Sequence, residues 1–171
     1  MLVSNPTPIS RQHGVVLIEA LVAILIFSLG ILGLVALGGQ AVGAQSDAQY
    51  RTEASGLADA IAGEIAVNVD RRGINENSGA LIANSLVPFR HQDAGANCVF
   101  NGVTTGNAPV AALLGRAAAL PGATAFQQQI TVQNGAGSFN RIEITLCWSA
   151  ANDNGAWRRH TYITYVNGGA V

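Results

Sequence analysis

The residue whose chemistry most needs an explanation is Glu19, an acid inside an apolar run. Residues 20–38 contain no charged residue, and residues 15–18 extend the apolar stretch in front of Glu19. A carboxylate inside a membrane segment costs roughly 2.5–3.5 kcal/mol at mid-depth. The cost falls near the start of a helix, where the group reaches the interface and the helix dipole favours an anion. Two interpretations stay open: a tolerated interfacial charge, or a carboxylate that awaits a cation from a partner protein.

The apolar run around Glu19 is long enough to cross a membrane, because about 20 apolar residues span a bilayer as a helix. The 14 residues in front of it contain Arg11, His13 and no acid. A basic flank of this kind stays in the cytoplasm, so we expect the remainder of the chain to be exported.

Three processing outcomes are compatible with this segment. The chain can stay uncut as a simple anchor. Signal peptidase can cut before Gln45, after the small residues at 42–44, although the apolar region of a signal peptide is typically about 7–15 residues long and uncharged. A cut after Gly14, before the apolar run, would keep that run in the mature protein.

The sequence around Gly14 resembles the class III signal of type IV pilins and pseudopilins. The resemblance rests on Gly14, the apolar residues 15–18, Glu19 and the hydrophobic helix that follows. It implies that prepilin peptidase cuts between Gly14 and Val15 and N-methylates Val15. It also implies that Glu19 assembles the subunit by pairing with the amino group of a neighbouring subunit, since a buried carboxylate is tolerable when an ammonium group pairs with it. Here Val15 stands where the family usually has Phe or Met.

Residues further along the chain are similar to one pilin branch, the V-type minor pilins, or type IV pilus modification proteins. These are the helical spacing of residues 54–68 and the late strand 142–148 that ends in Trp148. The resemblance implies a pilin fold and a place in a type IV pilus, with prepilin peptidase and other major and minor pilin subunits as partners. A minor pseudopilin of a type II secretion system shares the same signal. A singly anchored periplasmic binding module is a more distant alternative, and it leaves Glu19 without a purpose.

A single long helix is expected to carry the amino-terminal residues, from about Val15 to Val67 or Asn68. Leu57, Ile61 and Ile65 recur at helical spacing and predict an amphipathic stripe. Such a helix is roughly 80 Å long, and a membrane needs only about 30 Å of it, so the stripe should pack on an exported domain. The predicted organisation is a cytoplasmic leader at 1–14, a transmembrane and assembly half at 15–38, an amphipathic half at 39–68 and a periplasmic domain at 69–171.

Gly30 and Gly33 lie three residues apart inside the apolar run. Close helix packing or plain flexibility is the favoured interpretation. The alternative is a local melting point of the helix, since glycine costs about 1 kcal/mol against alanine in a helix.

The carboxy-terminal part changes to a period of two, which predicts strands. Three alternating runs, at 130–132, 142–148 and 157–166, predict an antiparallel meander, and 98–104 is a candidate fourth strand. The even-numbered face of 142–148 should lie on the amphipathic half of the helix. Residues 73–96 are interpreted as loop, and 109–120 as a short helix with Pro109 at its start. The predicted fold class is therefore α+β, a long hydrophobic helix packed on an antiparallel sheet of three or four strands.

Cys98 and Cys147 would lie in the periplasm, an oxidising compartment. A bridge between them closes a loop of about 50 residues, which the chain-entropy model values at roughly 4 kcal/mol. Two separate thiols are the alternative. A metal site with His91 and His160 is disfavoured, because the spacings match no zinc pattern.

Composition and motifs disfavour catalysis and nucleic-acid binding. The formal charge is −1, and only 11% of residues are charged, so the basic face of a nucleic-acid binder is not expected. No Gly-x-Ser-x-Gly motif and no phosphate-binding loop occur. The small basic run 158–160 is interpreted as charge protecting a strand edge, and contact with nucleic acid or with an acid of a partner is the alternative. We expect no catalytic residue, no cofactor and no small-molecule substrate. The predicted location is the inner membrane of a Gram-negative-type bacterium, in a single pass with a periplasmic carboxy terminus, and later the pilus.

Overall fold

The fold comes from a computed structural model that describes residues 13–70, 78–134, 138–149 and 155–166. The chain divides into two compact units, Met1–Ala44 and Gln45–Val171. In chain order the helices and strands are α1 (His13–Asn68), α2 (Ser78–Leu86), β1 (Ala94–Ala96), β2 (Val99–Asn101), α3 (Ala108–Ala117), β3 (Gln128–Gln133), β4 (Arg141–Trp148) and β5 (Arg158–Tyr165).

The described part of the first unit is helical, as its composition demands. No proline occurs between Pro8 and Pro88, so nothing removes a backbone donor from α1. Every large apolar side chain from Val15 to Val42 is at least 45% exposed. By length and composition this helix can cross a membrane, a property that a membrane anchor and a signal sequence share.

The carboxy-terminal end of α1 confirms the predicted helix stop. Asn68 is the last helical residue, and its side-chain amide donates to the Glu64 carbonyl at 2.9 Å. The Val69 amide then donates to the Ile65 carbonyl at 3.1 Å. The Val69 bond satisfies one of the last four carbonyl groups, which a helix end leaves without a partner inside the helix, and the Asn68 side chain adds a bond to the last turn.

The main sheet of the second unit is the predicted antiparallel meander, in the order β3-β4-β5. Its register places Ile144 between Ile130 and Tyr162. The two predicted turns fall largely on 135–137 and 150–154, which lie outside the described residues. Among the described strands, β5 has a partner on one side only.

The core of the second unit forms between α1 and the even-numbered face of β4, as the alternation in the sequence predicted. Leu57, Ile61 and Ile65 belong to one buried cluster with the apolar residues of β4. Burying an aliphatic side chain of this size stabilises a protein by about 1.5–3 kcal/mol, so these contacts hold the helix on the sheet. The β4 residues in this cluster are Ile142, Ile144 and Leu146.

Trp148, the last residue of β4, forms a second buried cluster. Its side chain is fully buried and packs with Ala54 of α1 and Leu120. Tyr50 is partly buried against the same cluster. This end of the sheet is therefore attached to α1 about one turn before the Leu57 stripe begins.

The interpretation of 73–96 as loop is wrong over α2. Residues 78–86 are helical, and Ile82 and Leu86 are buried in the main core. The segment is short and its composition is typical of loops, so its helical period was too brief to recognise.

The structure also shortens the predicted 109–120 helix to α3, whose cap is Asn107. The Asn107 side chain accepts a bond from the Val110 amide at 3.0 Å.

The fourth strand predicted at 98–104 is not part of the main sheet. Its first half, β2, pairs with β1 in a separate two-stranded hairpin. Asn97 and Cys98 form the loop between the strands with φ of 55° and 62°. Positive φ at both central residues is the mark of a type I′ turn, which returns the chain directly on itself. Only His91 forms a bridge to β3 from this part of the chain, opposite Ile130.

Candidate functional site

The predicted processing and assembly residues lie on the first turns of α1. The helix begins at His13, and Gly14 lies within it. Val15 is 59% exposed, and Glu19 is exposed one turn later. Because residues four apart share a helix face, the structure places Val15 and Glu19 side by side on one surface.

Glu19 is the one polar side chain between Val15 and Gly39 that has no partner among the described residues. The other polar side chain in this stretch is Ser28, whose hydroxyl donates to the Ile24 carbonyl at 2.8 Å. A hydroxyl that bonds back to its own helix needs nothing further in an apolar environment. On this otherwise hydrocarbon surface of the described helix, Glu19 therefore carries the one charge and is the one polar side chain without a partner.

Gly30 and Gly33 face open space. A Cβ built at either position meets no atom within 4 Å. No contact among the described residues therefore requires these glycines, and the packing role expected for them stays a prediction.

The stripe residues predicted for helix packing have a different environment. Leu57, Ile61 and Ile65 are at most 3% exposed, and they form the core with β4. They hold the second unit together.

Cys98 and Cys147 form the predicted disulfide, with Cα atoms 5.8 Å apart. Cys147 lies on the odd-numbered face of β4 and is fully buried beside Phe100. The bridge fixes the β1–β2 hairpin across the sheet face that points away from α1. Both sulfurs are used in this bond, so neither is a thiolate ligand for a metal.

The basic run 158–160 lies on β5, an edge strand among the described strands, as expected. Its side chains alternate between the two faces of β5, since successive strand residues point to opposite sides. Arg158 reaches Asp47 of α1 with two contacts of 3.2 Å. His160 lines a cleft against α1, whereas Arg159 lies on the opposite face, near the hairpin.

Sequence analysis missed the pair between Asp47 and Arg158. The sequence offers no local signal for it, because Arg158 stands at the start of a polar strand and Asp47 on a distant helix. The separation of 111 residues hid it, since nothing in the sequence states which end of the sheet meets the helix.

His91 is a buried histidine with a structural role. Its Nδ1 accepts from the Thr105 amide at 3.4 Å, and its Nε2 lies 3.4 Å from the Ala125 carbonyl. Burial lowers the pKa of His91 below its ordinary value, and the bond to Ala125 only partly opposes that effect. The neutral ring therefore joins three loops, with its Nε2 as the donor.

Within the described ranges, no group of three or more His, Cys, Asp or Glu side chains gathers as a metal site would. Comparisons with family models, curated proteins and solved structures found no match for this chain. Any proposed function must therefore be argued from the structure itself. Its main features are an exposed apolar helix with one carboxylate and the disulfide-linked α+β unit that follows it in the chain.

Proposed function

We propose that this chain is a minor type IV pilin, cut by prepilin peptidase after Gly14 and incorporated into a type IV pilus, or used to prime one. The observation that supports this most is the surface of α1 from Val15 to Val42. That surface is continuous, exposed hydrocarbon with the Glu19 carboxylate as its one charge.

An exposed apolar surface of this extent needs an apolar environment outside the chain. Lipid is one such environment, and a bundle of neighbouring helices of the same kind is another. A filament subunit needs both in turn: the helix first holds the subunit in the inner membrane and then packs among other subunits. A plain anchor needs only the first and has no use for a charge on this surface.

The proposed role of Glu19 follows from the cost of an unpaired carboxylate. In hydrocarbon the group is strongly disfavoured alone and tolerable beside a cation. Cleavage after Gly14 would create such a cation, the amino group of Val15. Because Val15 and Glu19 share one helix face, a neighbouring subunit shifted along the helix axis presents its amine to this Glu19. The pair then sets the register between subunits.

The folded unit after α1 presents the subunit-specific contacts in this proposal. Its own core is closed by the Leu57 stripe and β4, so its exposed faces can contact neighbours without unfolding. A minor pseudopilin of a type II secretion system uses the same signal and remains the alternative.

Intact mass with amino-terminal fragmentation tests the proposal, on protein taken from the inner membrane and from sheared surface material. A chain that starts at N-methylated Val15 and occurs in the sheared fraction supports a pilin. The same start without surface protein supports the pseudopilin. A start at Gln45 indicates an ordinary exported domain, and a start at Met1 indicates a plain anchor; either result overturns the proposal.

Glu19→Ala tests the register role separately. We expect the variant to insert in the membrane and to be processed normally, yet to be lost from the sheared fraction. Glu53→Ala is the matched control, because Glu53 is an exposed acid on the second part of the same helix. Normal incorporation of Glu19→Ala would disprove the register role.

A further inference from the structure

A second feature of the second unit that could bind a partner is the cleft between α1 and β5. It has a volume of about 540 Å³ and is open to solvent on one side. Its lining residues are Arg51, Thr52, Ser55, Gly56 and His160. All belong to the second unit, and four of them lie on one helix face in two rows spaced by four residues.

The charged side chains at this cleft differ in how closely they are paired. Asp47 lies one helical turn before Arg51, and Arg158 contacts both Asp47 oxygens at 3.2 Å. Arg51 lies 4.0 Å from the nearer oxygen, and its side chain is 62% exposed. The Asp47 carboxylate is thus contacted mainly by Arg158, and the exposed Arg51 guanidinium, at 4.0 Å, keeps donors that the described contacts do not use.

His160 is a second residue at this cleft with an unused hydrogen-bonding atom. The Nε2 atom of its ring is buried and has no hydrogen-bond partner among the described residues. A buried polar atom without a partner is a cost that a new neighbour can remove. Ser55 and Thr52 also line the cleft, although the Thr52 hydroxyl already donates to the Ala48 carbonyl at 2.9 Å. Gly56 leaves room, since a Cβ there would meet no atom within 4 Å.

We propose that this cleft receives an Asp or Glu side chain from a neighbouring protein subunit, with Arg51 as the principal contact. A guanidinium group matches a carboxylate in shape and donates two parallel hydrogen bonds to it. The exposed Arg51 guanidinium, held only at 4.0 Å from Asp47, has donors available for a second carboxylate. A phosphate dianion fits less well, because Asp47 lies beside the same guanidinium and repels the second negative charge.

The open side of the cleft favours a protein side chain over a free metabolite. Small-molecule sites enclose most of their ligand, and this cleft does not. Its short lining side chains leave room for a carboxylate together with the backbone that carries it. The identity of the neighbour as a filament subunit rests on the proposed function, whereas binding of a carboxylate does not.

The chemistry is tested by titration of the purified full-length chain in detergent micelles, followed by the NMR signal of the His160 ring. The probes are N-acetyl-glutamate N-methylamide, its neutral glutamine counterpart and inorganic phosphate. We expect a saturating shift with the glutamate probe alone. Arg51→Gln should weaken this binding about two- to fivefold, the range of an exposed ion pair.

Arg116→Gln is the matched control, because Arg116 is exposed on α3 and does not line the cleft; it should bind the probe as the unaltered chain does. Three results would overturn the proposal: no saturating shift, an equal response to the glutamine probe, or tighter binding of phosphate. Equal binding by Arg51→Gln would remove Arg51 from the role.

The source of the carboxylate is tested in cells with a photo-reactive residue at position 55. The cross-linked peptide of the neighbour should contain an Asp or Glu. Arg51→Glu should then reduce incorporation of this chain into the sheared fraction, and an Arg at the mapped acid should restore it. Failure of this rescue overturns the subunit as source.

The two proposals fail in different ways. If the amino terminus is N-methylated Val15 and Arg51→Glu is incorporated normally, the cleft has no role in assembly and the pilin proposal stands. If Gly14 is never cut, the pilin proposal falls, and the titration alone decides whether the cleft binds a carboxylate.

Discussion

The two parts of helix α1 have opposite environments. Between Val15 and Val42 every large apolar side chain is at least 45% exposed, whereas Leu57, Ile61 and Ile65 are at most 3% exposed. Both parts belong to one uninterrupted helix. The difference lies in the arrangement of apolar residues, which surround the first part and form a single stripe on the second.

The two parts of the helix therefore require different surroundings. A helix that is apolar on all sides needs hydrocarbon around it, supplied by lipid or by other helices. A helix with one apolar stripe needs one apolar surface, and here the chain supplies it from β4. Changes in the second part should therefore affect folding of the Gln45–Val171 unit, whereas changes in the first should leave that folding intact and, under the proposed function, affect insertion and assembly.

Removal of the disulfide should have the largest effect and should be confined to the second unit. Cys98→Ala with Cys147→Ala should lower the free energy of unfolding of that unit by about 2–5 kcal/mol, because the bridge limits the freedom of the unfolded chain. Chemical denaturation followed by tryptophan fluorescence measures this loss. Membrane association should be unchanged, and a variant that leaves the membrane fraction would break the separation between the two parts.

A matched pair of isoleucines tests the contrast directly. Ile61→Ala should destabilise the second unit by about 2–5 kcal/mol, because it leaves a cavity in a packed core. Ile24→Ala removes the same atoms from the exposed part and should change that unfolding free energy by less than about 0.5 kcal/mol. The same denaturation experiment compares both, and equal effects would show that the two parts of α1 are not distinct.

A matched pair of glycines extends the comparison to a substitution that is expected to stabilise the second unit. Gly56→Ala should raise the stability of the second unit by about 0.5–1 kcal/mol, since alanine favours helix and a Cβ there meets no atom within 4 Å. Gly33→Ala has equal space but should leave that stability unchanged. Thermal unfolding monitored by near-UV circular dichroism reports both, and destabilisation by Gly56→Ala would reveal a contact that this fold lacks.

The smallest expected effect is a pH dependence that belongs to the second unit alone. Burial lowers the pKa of His91 in the folded chain, so the unfolded chain binds its proton first as pH falls. Stability should be constant above the ordinary histidine value of about 6.5 and should decline as pH falls below it, toward the lowered pKa.

Unfolding curves at several pH values measure this decline. His91→Gln, which cannot gain the proton, should show a flatter profile over the same range. An equal slope in both proteins would assign the dependence to other groups.

The sequence by itself determined the elements whose pattern is long and regular. The apolar run, the end of α1 at Asn68, the Leu57–Ile65 stripe and the three-stranded meander all follow from local periodicity, which needs no knowledge of distant residues. The cysteine pair was also accessible, because two cysteines in a domain that is expected to be exported leave few alternatives.

Only the tertiary structure decided the rest, because it depends on residues far apart in the chain. The helix at Ser78–Leu86 is too short for its helical period to be recognised in the sequence. Two of its apolar side chains are buried in the core, and these contacts with distant residues favour the helix. The hairpin at β1–β2 depends on positive φ at Asn97 and Cys98, a conformation that Cys rarely adopts. The cleft at Arg51 and His160 exists because folding brings β5 against α1, and no local pattern states which charges will meet there.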